Sequence, residues 1–131
     1  LTVRRPLVYR AAERLAAAGL CRPDHTEPRA GGPERTVYRV TAAGRRALAA
    51  WLAAPVARVR DLRLEFLLKV RLTRRAGGSA LALVQAQQAA LGPRLAGLAS
   101  GEGGDEVALW RRHNARAAQE FLDDLEGRLG G

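Results

Sequence analysis

The first forty residues constrain the fold most, because a short basic helix leads there directly into a turn-rich hairpin. Pro6 suits the first turn of a helix, since its missing N–H would have no partner there. We expect Thr2 to cap this helix and Gly19 to close it in a left-handed conformation. Apolar residues recur on one face at helical spacing: Val8, Ala11, Leu15 and Ala18.

The opposite face of this helix is basic and polar: Arg5, Tyr9, Arg10, Glu13 and Arg14. Guanidinium and phenol groups near the N-terminal end of a helix suit phosphates and base edges, and arginine pairs bidentately with guanine. A solvated basic surface, common in an arginine-rich chain, is the alternative interpretation.

The hairpin favours DNA contact. Leu20–Arg22 and Arg35–Val40 are the predicted strands, and Asp24–Glu34 contains the glycines and prolines of a turn. Arg29 lies at the predicted tip and Arg35 where the chain returns. These are the places where a winged hairpin would contact the phosphate backbone.

Two helices are predicted next. Thr41 suits the N-cap of a helix over Ala42–Ala54. The segment Asp61–Arg75 alternates as a strand would, but also carries a helical stripe of leucines. Its length, its capping Asp61 and its basic C-terminal end favour a helix, which Gly77 and the following glycine would end.

The last two predicted helices are Ser79–Ala99, which begins at a capping serine, and Asp105–Leu129. Both carry apolar stripes, and the stripe of the second helix consists of Val107, Trp110, Asn114, Ala117, Phe121 and Leu125. We expect Gly92–Pro93 to kink or interrupt the first of them. The stripes either cover each other within one chain or clasp a second subunit, and we favour the second subunit. The predicted dimerisation residues are Leu81, Val84, Leu91, Leu95, Trp110, Asn114, Phe121 and Leu125. Gln88 and Asn114 are polar residues on the stripes and could fix the register of the helices.

Three consecutive segments together resemble one protein family: LVYRAAERLAAAGL, GGPERTVYRVTAAGRRALAAWLA and LRLEFLLKVRL. They are similar to the PadR (phenolic acid decarboxylase regulator) family of transcription factors. The matching positions are Tyr9, Leu15 and Gly19 in the recognition helix, the run Val37–Gly44 in the wing, and Trp51–Leu52 in the next helix.

The resemblance implies a mainly helical, dimeric winged helix-turn-helix regulator, usually a repressor, with a helical C-terminal dimerisation region. Residues 1–54 would form a partial DNA-binding domain and residues 61–131 the dimerisation domain. The family has two or more helices before the recognition helix, whereas this sequence begins with that helix, so we expect it to be a fragment, a processed chain or a chain with a wrongly assigned start. The DNA-binding residues would be Thr2, Arg4, Arg5, Tyr9, Arg10, Arg29 and Arg35.

Charge and composition agree with a nucleic-acid partner. The net charge is +9, and residues 1–46 contribute +6 of it through ten arginines and four acidic residues. No apolar stretch suits a membrane span and no signal peptide is visible. The single cysteine, Cys21, fits a reducing cytoplasm; it is either a buried apolar residue or a redox sensor.

Neither catalysis nor a metal or other cofactor is expected, because no nucleophile, metal-ligand spacing or phosphate-binding loop is present. Aromatic side chains bind flat ligands, so Trp51, Phe66 and Trp110 are candidates for a small aromatic effector. For Trp51, packing in a core or dimer interface is the alternative. A helical protein-interaction or ligand-sensing module without sequence-specific DNA binding remains the alternative function.

Overall fold

The structure, a computed structural model, describes residues 5–131, with only the backbone of Arg5. This part of the chain is mainly helical and has one antiparallel hairpin between its first two helices, as predicted. The elements are α1 (Arg5–Ala17), β1 (Cys21–Arg29), β2 (Gly32–Val40), α2 (Ala42–Ala53), a 3-10 helix (Val59–Leu62), α3 (Glu65–Arg75), α4 (Ala80–Ser100) and α5 (Glu106–Gly130).

The chain divides into two compact units, Leu1–Trp51 and Leu52–Gly131. In the first unit, α1 ends at Gly19, whose φ of +71° is the left-handed conformation predicted for it. The N–H of Leu20 donates to the carbonyl of Leu15 at 2.9 Å, and the N–H of Gly19 donates to Ala16. These two bonds satisfy carbonyls that the last turn of a helix would otherwise leave unpaired.

The hairpin is longer than predicted. Its strands pair from Cys21 opposite Val40 to Arg29 opposite Gly32, so the turn is short and the predicted turn over Asp24–Glu34 is wrong. Prolines within the strands suggested a loop, but each strand of a two-stranded ribbon has a free edge that tolerates proline. The register of the pairing shifts twice, once between Pro23 and His25 and once between Glu27 and Arg29.

Thr41 caps α2, as predicted. Its hydroxyl oxygen accepts a hydrogen bond from the N–H of Gly44 at 3.0 Å, and the hydroxyl donates to the carbonyl of Gly19 at 2.6 Å. One side chain therefore joins the end of α1 to the start of α2. Gly44 is buried, and a Cβ on it would lie 1.9 Å from the carbonyl oxygen of Leu20.

The second unit contains the apolar core. Buried residues of its helices and of the segment before them form one cluster: Val56, Leu62, Phe66, Val70, Ala80, Leu83, Val84, Leu91, Leu95, Ala115 and Leu122. The fully buried amide of Gln87 holds the backbone of Val56 at both ends, accepting from its N–H at 2.7 Å and donating to its carbonyl at 2.9 Å. The ammonium of Lys69 donates to the carbonyl of Ala54 at 2.6 Å.

One prediction for this unit is wrong, and part of a second is wrong. Asp61 does not cap a helix over Asp61–Arg75; it lies in the 3-10 helix, and α3 begins only at Glu65. Pro93 does not interrupt α4, which continues through it to Ser100. The side chain of Ser79 caps α4 and Gly77 has the positive φ that ends α3, as predicted. Asp105, predicted as the first residue of the last helix, is the N-cap of α5, and its carboxylate accepts from the N–H of Ala108.

The helices α4 and α5 run antiparallel. Gln85 donates to Glu126 at 3.0 Å and Gln88 donates to Asp123 at 2.9 Å. The partner moves three residues back along α5 as the donor moves three residues forward along α4, so both hydrogen bonds fit one antiparallel alignment of the helices. The face of α5 that packs in the core is centred on Ala115 and Leu122. No helix among residues 5–131 is long and apolar enough to cross a membrane.

Candidate nucleic-acid interface

The exposed face of α1 carries part of the predicted DNA-binding set. Tyr9 and Arg10 are exposed. Thr2 and Arg4 lie outside the described residues, as does the side chain of Arg5.

The apolar face predicted for α1 is also exposed. Val8 is 54% exposed and Leu15 47%. The half-buried residues of the helix are instead Ala12 and Ala16, and the carbonyl of Ala12 lies 3.6 Å from the sulfur of Cys21. Small residues let the helix approach the start of β1 closely, and its larger apolar side chains remain uncovered in this unit.

The two arginines predicted to hold phosphates differ in their surroundings. Arg29 is exposed at the end of β1, and no carboxylate of the described residues forms an ion pair with it. Arg35 lies directly opposite Glu27 across the hairpin, and its guanidinium donates to that carboxylate, from Nε at 2.7 Å. Arg29 is thus the more available phosphate ligand of the two.

A chain of five charged side chains follows one part of the hairpin: Arg39, Asp24, His25, Glu27 and Arg35. Arg39 donates to both carboxylate oxygens of Asp24, at 3.0 and 3.1 Å. Nδ1 of His25 lies 2.9 Å from Oδ2 of Asp24, and Nε2 lies 3.1 Å from Oε1 of Glu27. The imidazole therefore bridges two carboxylates, each of which also accepts from an arginine of β2.

These contacts change the titration of the group. Hydrogen bonds from Arg39, and then from His25, lower the pKa of Asp24 to about 2. Hydrogen bonds to Asp24 and then to Glu27 raise the pKa of His25 above its ordinary value. The pKa of Glu27 is lowered, chiefly by Arg35. The carboxylates are thus held ionised, and they in turn favour the protonated form of the imidazole.

The sequence analysis did not identify Asp24, His25, Glu27 and Arg39 as a group. His25 and Glu27 are two residues apart, which places them on the same face of a strand. That signal was available, but it has meaning only when the segment is recognised as a strand. A turn over the whole segment has no strand register, and it is the register that places Arg35 opposite Glu27 and Arg39 within reach of Asp24.

The three predicted effector residues have different surroundings. Phe66 is fully buried and packs edge-to-face against Phe121, with ring centroids 6.4 Å apart and planes at 89°. Trp51 is half-buried, whereas Trp110 is 69% exposed. A cavity of about 260 Å³ lies at the loop between α4 and α5 and includes Arg111 and Arg112, but none of the three aromatic residues.

The predicted dimerisation residues divide between the two sides of the helical unit. Val84, Leu91 and Leu95 are buried in the core of a single chain, which agrees with the interpretation that α4 and α5 cover each other. The others are half-buried or exposed: Leu81 and Leu125 are half-buried, and Trp110, Asn114 and Phe121 are exposed. The apolar stripe predicted on α5 therefore lies mostly outside the core.

A scan against protein-family models gives no match for this chain, and a search of curated proteins gives none either. Function is therefore inferred from the chain's own residues and geometry.

Proposed function

We propose that this chain is a dimeric winged-helix DNA-binding transcriptional regulator of the PadR type, and that it acts as a repressor. The observation that carries the proposal is the basic unit formed by α1 and the hairpin. A helix with an exposed basic face ends at Gly19 and continues into an exposed antiparallel ribbon. Helix followed by ribbon is the order in which a winged helix meets DNA, with the helix in the major groove.

In this proposal the helix reads bases and the ribbon positions it. Tyr9 and Arg10, together with Arg4 and Arg5, enter or flank the major groove, and Thr2 lies at the same end. Arg29 and Arg35 bind phosphates, which adds affinity without sequence information. Residues 1–54 would form the DNA-binding part and residues 61–131 the dimerisation part, in the reducing environment of the cytoplasm.

The dimer would form through the exposed stripe of α5, where Trp110 and Asn114 are exposed and Phe121, which also packs against Phe66, is 37% exposed. Two copies would read half-sites about one helical turn of DNA apart, or a multiple of it. A flat aromatic effector would bind near Trp51, Phe66 or Trp110 and change the affinity for DNA.

A helical protein-interaction module without sequence-specific DNA binding is the second candidate. The exposed apolar side chains of the helical unit favour it, above all Leu64 and Trp110, which are 61% and 69% exposed. Absence of sequence-specific binding by a folded dimer would support this candidate over the first.

A DNA titration of the purified chain at two salt concentrations tests the first candidate, with the DNA upstream of its own gene and a scrambled duplex. Tighter binding to the upstream DNA, with steep salt dependence, is the expected result. Arg29→Ala should weaken binding to both duplexes and reduce the salt slope by about 0.9. Arg128→Ala, which removes the same charge from the exposed end of α5, is the matched control.

Equal weak binding to both duplexes would reject sequence-specific recognition. If Arg29→Ala and Arg128→Ala weaken DNA binding to the same extent, the hairpin is not the phosphate-binding wing. The same conclusion follows if Arg35→Ala leaves the affinity and the salt slope unchanged.

A further inference from the structure

Both ring nitrogens of His25 face carboxylate oxygens, and this geometry depends on protonation. A neutral imidazole has one N–H donor and one acceptor, whereas the imidazolium has two donors. With Oδ2 of Asp24 at 2.9 Å and Oε1 of Glu27 at 3.1 Å, only the imidazolium donates a hydrogen bond to each. In the neutral form, one ring nitrogen presents a lone pair to a carboxylate oxygen, which is repulsive.

Because the other four charged side chains of the cluster cancel one another, the proton on His25 changes the net charge of the hairpin. Arg39 and Arg35 neutralise the two carboxylates, so the five-residue chain has no net charge when His25 is neutral and +1 when it is protonated. Over Cys21–Val40, four arginines and three acidic residues give +1, which becomes +2 on protonation. One proton thus doubles the net charge of the ribbon.

The position of His25 leaves the group open to solvent and to a ligand. Its side chain is 51% exposed, so protons exchange with the solvent freely. The charged groups that act on it are Asp24 and Glu27 on its own strand and, through them, Arg39 and Arg35 on β2. Among the described residues, α1 supplies no charged partner to the ring.

We propose that His25 makes DNA binding by the hairpin depend on protonation, so that the imidazolium form binds a duplex more tightly than the neutral form. The proposal rests on the proposed DNA-binding function and adds its regulation by pH. In the neutral form, the charges of Asp24 and Glu27 cancel those of Arg35 and Arg39, so the group adds no net attraction for a phosphate. In the imidazolium form, the group carries a net charge of +1 and the ribbon attracts the DNA backbone more strongly.

The test is a DNA titration between about pH 5.5 and about pH 8, the range in which histidine changes charge, with a mixed-sequence duplex. We expect affinity to rise about threefold to tenfold on acidification, the effect of about one added charge near phosphate. His25→Gln should bind weakly across the whole range, and His25→Lys should bind tightly across it. His113→Gln, which removes the only other histidine, should keep the pH dependence of the unsubstituted chain.

Nuclear magnetic resonance of the unsubstituted chain provides a second measurement that needs no variant. Because binding and protonation are linked, the duplex must raise the pKa of His25 by an amount that matches the change in affinity. Equal shifts for His25 and His113 would overturn the proposal, since they would reflect only the general field of the DNA.

The failures are distinguishable. Binding that depends on salt, with the same pH profile in the unsubstituted chain and His25→Gln, overturns the role of His25 and leaves the DNA-binding function intact. Absence of duplex binding at every pH and salt concentration overturns both.

Discussion

Gly44 lies where the first turn of α2 passes the backbone of Leu20, and no other residue fits there. An alanine Cβ would lie 1.9 Å from the carbonyl oxygen of Leu20 and 2.8 Å from a methyl group of Val40. Backbone cannot turn away as a flexible side chain can, so the helix and the start of the hairpin must separate. We expect Gly44→Ala to destabilise this unit by about 1 to 3 kcal/mol.

Amide hydrogen exchange measures this effect residue by residue. Protection should fall along β1 and β2 in Gly44→Ala and stay unchanged in α4 and α5. Gly97→Ala is the control, because it replaces a helical glycine with no atom within 4 Å of the new Cβ. It should stabilise α4 by about 0.5 to 1 kcal/mol. Unchanged protection of the hairpin in Gly44→Ala would contradict the close approach.

At the scale of the elements, the buried amide of Gln87 attaches the segment between α2 and the 3-10 helix to α4. It satisfies the N–H and the carbonyl of Val56, both out of reach of solvent. Gln87→Leu removes both partners and leaves two buried polar groups unpaired, at roughly 1 to 3 kcal/mol each. We expect a loss of about 2 to 4 kcal/mol in the free energy of unfolding by denaturant.

The neighbouring glutamine is the control for this prediction. Gln88 lies on the same helix, is half-buried, and bonds the exposed carboxylate of Asp123. Gln88→Leu should therefore change the free energy of unfolding by less than about 1 kcal/mol. Similar losses in the two variants would mean that the amide of Gln87 does not hold the segment of Val56.

Helix ends were predictable from the sequence because their signals are local. Thr41 and Ser79 cap helices through bonds to N–H groups only three residues away, and Gly19 and Gly77 close helices through their own φ. Each of these predictions needed a few consecutive residues and no tertiary contact.

The hairpin and the faces of the last helix were harder to predict. Whether Pro23 lies in a strand depends on which edge of the ribbon it occupies, and that depends on the partner strand. The stripe Val107, Trp110 and Phe121 was recognised as apolar, but sequence spacing does not say which of two apolar faces packs inward. Ala115 and Leu122 are buried in the core, whereas Val107, Trp110 and Phe121 are exposed.

At the scale of the molecule, the two units differ in what they bury. Among the described residues, the buried apolar side chains that form the core all lie between Val56 and Leu122, in the second unit. The described part of the first unit is held by backbone pairing, caps and ion pairs, and exposed ion pairs individually add little stability in water. We therefore expect the helical unit to contribute most of the free energy of folding, and we place the proposed self-association there.

Self-association through α5 gives the last prediction. Trp110 is 69% exposed on a stripe that it shares with Val107 and Phe121, and an exposed tryptophan of this kind is a typical centre of an interface. We expect Trp110→Asp to weaken the dimer at least about thirtyfold, the effect of about 2 kcal/mol. Sedimentation velocity over a range of concentrations measures it.

Leu109→Asp is the matched control, because Leu109 is an exposed apolar residue of the same helix, about 100° around the axis from Trp110. It introduces the same charge outside the stripe and should leave the dimer intact. Since two linked half-sites bind DNA more tightly than one, Trp110→Asp should also weaken DNA binding while Leu109→Asp does not. A monomeric unsubstituted chain would reject the dimer itself, whereas equal behaviour of the two variants would place the interface on another surface.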